Sequence, residues 1–195
     1  NKASSINNGL ENAGIDELLN AFSEKLILYQ DANYAKSYRK IMDSISSQFG
    51  DTIISQKSAK ALFRAMAIKD EYEVARLMLS PTFEQTLKSK FGNSRPSSYY
   101  LAPPFLSFLK DANGFPRKIR FGSWVRTIFW VLTKLKSLRG TAFDPFAHSR
   151  ERKLEVSFRA ALIAKLSNPK KLMQMPEELE AQLDAALKVK GYGHV

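Results

Sequence analysis

Cysteine is absent from all 195 residues. That excludes disulfides, thiolate nucleophiles, zinc fingers and cysteine-held iron–sulfur clusters within this chain. Histidine occurs only twice, too rarely for a histidine-rich metal centre. Glycine and proline are sparse, at 9 and 8 residues, and a chain with so few breakers favours helix. No apolar run approaches the ~18 residues of a membrane span. Dinucleotide-type GxGxxG, the P-loop and HExxH are all missing. What is there is 44% hydrophobic and 25% charged. That balance is ordinary for a folded globular chain and excludes a disordered or fibrous one.

Apolar residues recur at helical spacing through most of the length. Residues 1–14 read as a polar lead-in. Ile15, Leu18, Leu19, Phe22, Leu26 and Tyr29 form one helix face, and Tyr34, Tyr38, Ile41, Met42, Ile45 and Phe49 the next, ended by Gly50. Ser55 is a candidate cap for a third helix carrying Ala59, Leu62, Phe63 and Met66. Asp70 and Glu73 have capping-box spacing, followed by Tyr72, Val74, Leu77 and Met78. Ser80-Pro81 places a cap before a proline at the first helical position.

Residues 94–122 break the period. Tyr99-Tyr100-Leu101 and Lys118-Ile119-Arg120-Phe121 read as strands of a hairpin around the Asp111-Ala112-Asn113-Gly114 turn. Ser123 then caps a helix whose core face is Trp124, Ile128, Val131, Leu132, Leu135 and Leu138. Gly140 ends it. Ser149 caps a further helix with Leu154, Phe158, Ala161, Leu162 and Leu166. Asn168-Pro169 starts a short helix and Pro176 the last one, with Leu179, Leu183, Ala186 and Leu187 inward and Gly191 at its end. The expected fold is mainly α: about eight amphipathic helices in one bundle-like domain over residues 15–195, with a small irregular or β-hairpin lobe at 94–122.

Formal net charge is +11, and all of it lies between Arg117 and Lys171, where fourteen bases face three acids. Arg126, Lys134, Arg139, Arg150, Arg152 and Arg159 are the candidate anion- or partner-binding residues. Arg139, Arg150 and Arg152 flank the Gly140–His148 loop and are expected at the centre of one patch. Its partner is a nucleic acid, an acidic protein, a phosphate-bearing ligand or an acidic surface elsewhere in a longer parent chain, unless the face is merely solvated.

Chemistry-bearing pairs are few. His148 follows Asp144 by four residues; a folded-back loop would bond the two, as loop structure or as an oriented imidazole. His194 has no evident partner. Asp70, Glu71 and Glu73 could hold a divalent cation, but helix capping explains them better. No catalytic constellation emerges.

Five segments in order carry a resemblance: Lys69-Asp70-Glu71-Tyr72-Glu73-Val74-Ala75-Arg76-Leu77; Leu101-Ala102-Pro103-Pro104; Phe121-Gly122-Ser123-Trp124; Leu138-Arg139-Gly140-Thr141 with Asp144-Pro145-Phe146 and Glu151-Arg152; and Gly191-Tyr192-Gly193-His194-Val195. Together with Tyr29-Gln30-Asp31-Ala32-Asn33-Tyr34-Ala35, they resemble the C-terminal domain of the fused bacterial indolepyruvate ferredoxin oxidoreductases. The pattern departs at Ala147-His148, where that family would place glycine. The resemblance implies a cytoplasmic enzyme that oxidatively decarboxylates 2-oxoacids. Its thiamine diphosphate, magnesium and iron–sulfur clusters would belong to other parts of the parent chain, and none to this segment. It implies a non-catalytic assembly or docking domain excised from a longer polypeptide, in keeping with a start at Asn1 and an abrupt end at Val195. The implied partners are the other domains of a homo-oligomeric parent, with ferredoxin or coenzyme A beside them, and neither membrane nor nucleic acid. The alternative is a stand-alone basic helical domain that binds nucleic acid or another anionic partner.

Overall fold

A computed structural model describes residues 13–92, 98–101, 110, 114, 117–168 and 176–188. Among them are eight α-helices and a two-stranded sheet, the mainly helical fold expected. The helices are α1 (Ile15–Tyr29), α2 (Ala32–Phe49), α3 (Ile53–Met66), α4 (Glu71–Met78), α5 (Pro81–Phe91), α6 (Val125–Lys134), α7 (Arg150–Leu166) and α8 (Pro176–Lys188). Strands β1 (Ser98–Leu101) and β2 (Ile119–Gly122) pair antiparallel, with Tyr99 opposite Phe121 and Tyr100 opposite Arg120. The lead-in before residue 13, the short helix at Asn168-Pro169, most of the Asp111–Gly114 turn, and Gly191 and His194 lie outside the described residues, apart from Asn168 and Gly114 themselves.

The described residues form two compact units, 13–68 with 154–188, and Lys69–Lys153. The boundaries fall between Ile68 and Lys69 and inside α7.

In the first unit, α1, α2 and α3 bury the faces their spacing indicates. Leu18, Leu26, Tyr38, Met42, Ile45, Ala59 and Leu62 are inaccessible to solvent. Phe22 stacks on Phe63 with ring centres 4.3 Å apart. Leu162 and Leu166 of α7 and Leu179 and Leu183 of α8 complete this core. Leu154 and Ala161 face outward instead. Polar ties lock the helices. Tyr38 donates to the Ala59 carbonyl at 3.3 Å, and Lys57 reaches Glu180 at 2.7 Å and Asp184 at 2.9 Å. Burial drives the Tyr38 hydroxyl pKa upward.

Thr52, not Ser55, caps α3: its hydroxyl accepts from the Ser55 N–H at 3.4 Å. The helix therefore starts three residues earlier than a Ser55 cap allows, and Ser55 is buried.

In the second unit, Ala75, Tyr99, Val125 and Phe129 form a small core, with Met78, Leu79, Leu101, Phe121 and Leu132 against it. The Tyr99 and Phe129 rings meet edge to face at 5.6 Å. Of the expected core face of α6, Leu132 packs against this core, but most of the rest is wrong. Trp124 is 58% exposed, and Ile128, Val131 and Leu135 are exposed as well. Ser123 is not the cap either: Trp124 occupies that position with helical dihedrals and no side-chain cap bond. The reason is the entry from β2. The Trp124 ring folds back on Gly122, where a Cβ would lie 3.0 Å from Cδ1, and against Phe121. Val125 and Phe129 are thereby turned to the sheet. After Lys134 the helix tightens into a 3₁₀ turn, Leu135–Leu138.

Candidate functional site

The most connected polar cluster of the second unit grows from the start of α4. Asp70 caps that helix, accepting from the Glu73 N–H at 2.8 Å. A cap is usually wet; this one has a side chain with no solvent exposure. A buried carboxylate needs partners, and two arginines supply them. The Arg139 guanidinium forks onto both Asp70 oxygens, with Nη2 2.9 Å from Oδ1. Arg152 places Nη1 3.5 Å from Asp70 Oδ2 and Nη2 3.0 Å from Glu71 Oε2. Burial pushes the Glu71 carboxyl above its ordinary pKa, although the Arg152 charge pulls it down.

One residue on, the Tyr72 hydroxyl donates to Asp144 Oδ1 at 3.1 Å. Asp144 also accepts from the Gly140 N–H at 2.9 Å and the Phe146 N–H at 3.0 Å. This carboxylate therefore closes the loop after α6 on itself. Gly140 sits at φ +74°, a conformation that glycine adopts without strain. Tyr72 lies under the Arg139 guanidinium at 5.3 Å and edge-on to Phe146 at 5.3 Å. Burial first, then the Asp144 charge, drives its hydroxyl pKa upward. Beside it, Glu73 turns to the next turn of the helix. It holds Arg76 by two bonds, of 2.8 and 2.6 Å, which raise the Arg76 pKa.

The three arginines expected at the centre of the patch divide. Arg139 and Arg152 are turned inward, their side chains 8% and 11% exposed, while Arg150 is exposed. The residues they meet, Asp70 and Glu71, lie about 70 to 80 positions away in sequence, so periodicity carries no sign of the pairing. Arg126 lies apart, bonded to Glu84 at 2.6 Å and to the Tyr99 hydroxyl at 3.3 Å; both bonds raise its pKa. Lys134 lies over the Trp130 ring at 5.7 Å. Arg159 belongs to the first unit and donates to the Tyr34 hydroxyl at 3.2 Å. Asp144 ties the loop through Gly140 and Phe146. The expected contact with His148 is replaced by those with Tyr72, Gly140 and Phe146, and His148 is exposed.

The cluster's chemistry is that of a fastening. Its carboxylates face guanidiniums and backbone donors, and arginine does not exchange protons at ordinary pH. No group of three metal-ligating side chains occurs among the described residues; Asp70 caps α4, Glu71 pairs with Arg152 and Glu73 with Arg76. No described helix is long and apolar enough to cross a membrane. The profile of a family of unknown function (DUF6537) matches residues 15–195. No curated protein and no solved structure matches the chain.

Proposed function

The chain belongs to the DUF6537 family, whose function is unknown, and we propose that it is a non-catalytic assembly or docking domain of a cytoplasmic 2-oxoacid ferredoxin oxidoreductase of the indolepyruvate type. The parent would carry thiamine diphosphate, magnesium and iron–sulfur clusters in its other domains. The ordered motifs that resemble such enzymes support the assignment to that parent.

One observation carries the accessory role. The motif residues Asp70, Glu71, Tyr72, Arg139, Asp144 and Arg152 bond to one another. A catalytic motif presents its polar atoms to a substrate; these meet inside the fold. The rival reading, a stand-alone nucleic-acid binder, rests on net charge. It loses ground because Arg126, Arg139 and Arg152 are bonded internally.

Expression of the whole gene product tests the reading. The expected protein shows iron–sulfur absorption and reduces ferredoxin with an aryl pyruvate, dependent on thiamine diphosphate. Residues 15–195 expressed alone do neither. A gene product without cofactors, or a chain that binds DNA or RNA with a steep salt dependence, overturns it.

A further inference from the structure

Helix α6 carries two apolar stripes. Val125, Phe129 and Leu132 pack on the hairpin. Trp124, Ile128, Val131 and Leu135 follow one another at spacings of four, three and four, with Trp124 just before the helix and Leu135 in the 3₁₀ turn after it. They are 58, 43, 41 and 40% exposed. Single exposed apolar side chains are ordinary. Four in line, at the spacing of a core face, mark a contact surface.

The charge around the stripe says what kind of surface it meets. From Arg117 to Phe143 there are seven bases and no acid. Arg117, Lys118, Arg120 and Lys134 are exposed. Among the described residues of the unit, the carboxylates at Asp70, Glu71, Glu73, Glu84 and Asp144 are engaged with Arg139, Arg152, Arg76, Arg126 and Tyr72, and Glu151 alone is exposed, beside Arg150 and Lys153. The stripe therefore sits in positive potential. Two copies of it would repel, whereas an acidic rim is attracted. An anionic bilayer fits less well. Membrane-surface helices sink a face ~5–10 Å into the lipid, but Ile128 and Val131 are already more than half covered.

We infer that the Trp124–Ile128–Val131–Leu135 stripe docks onto a protein surface with an apolar centre and an acidic rim, supplied by the parent enzyme. This rests on the accessory-domain reading and names the face that docks.

The test uses the 195-residue chain and, as probe, the cofactor-loaded parent polypeptide lacking residues 15–195. Binding is followed by titration calorimetry across a salt series. The wild-type chain binds. Ile128→Asp with Val131→Asp weakens binding by roughly 10-fold or more, the scale of a lost interface anchor. Leu28→Asp, on exposed α1 surface, leaves it unchanged. Lys118→Glu with Arg120→Glu weakens it and flattens the salt dependence. Trp124→Ser repeats the test at the most exposed stripe position, in case the double aspartate variant does not fold. Wild-type affinity in a folded stripe variant overturns the inference. So does transfer of the stripe's effect to phosphatidylserine vesicles with protein binding intact. A wild-type chain that does not bind a cofactor-loaded truncated parent overturns the docking face alone. A parent without thiamine diphosphate or clusters overturns the reading beneath it.

Discussion

Tyr72 and Asp144 stand 72 residues apart in the chain, and the tyrosine hydroxyl donates to the buried carboxylate at 3.1 Å. With the Gly140 and Phe146 N–H groups, that bond holds the whole loop between α6 and α7. Tyr72→Phe keeps the ring packing and removes one donor from a buried charge. The expected cost is about 1.5–3 kcal/mol, the range for hydrogen bonds to charged groups. Urea unfolding of the chain measures it, and an unchanged midpoint contradicts it.

Asp70 and Arg139 form the more consequential pair. Both side chains are buried, so removing either one breaks a buried ion pair. Arg139→Ala is expected to destabilise by about 3–5 kcal/mol. Arg139→Met combined with Asp70→Asn removes both charges and should recover much of the loss. A double variant as unstable as the sum of its parts would show that the two residues do not act as a pair.

Glu71 gives the pH signature. Burial raises its carboxyl pKa, so the folded chain holds this proton more tightly than the unfolded chain does. Stability at this site therefore falls as pH rises from the ordinary carboxylate value through the raised one. Glu71→Gln stays uncharged. Its advantage over the parent sequence should be full above that window and vanish below it. Melting temperatures from pH 4 to 8 read this out; a pH-independent difference contradicts it.

The face of α6 can be checked directly. Phe129 is buried and Trp124 is 58% exposed. Phe129→Ala should cost about 3–5 kcal/mol, whereas Trp124→Ala in the isolated chain should stay near 1 kcal/mol or less. Equal losses would place Trp124 in the core after all.

These contrasts mark where the sequence could be read and where it could not. Local signals were legible. Asp70 and Ser80-Pro81 start their helices, since a cap and its acceptor lie three residues apart. The faces of α1 and α2 were legible because each has a single apolar stripe. Helix α6 has two adjacent stripes, and periodicity alone cannot say which one meets the sheet. The turn through Gly122 decides it, by folding Trp124 backward. The Asp70–Arg139–Arg152 cluster was illegible for a different reason. Ion pairs leave no period in the chain, and arginines read as a surface patch are neutralised by acids far off in sequence.

The most direct measurement concerns Tyr72→Phe in the full-length gene product, with melting temperature and the kcat of the proposed thiamine-diphosphate-dependent oxidation determined on one preparation. If the motif residues hold the domain together and take no part in the chemistry, the melting temperature falls and kcat is unchanged. A kcat lower by ~100-fold or more, the scale of a lost proton-transfer group, at an unchanged melting temperature would contradict that claim.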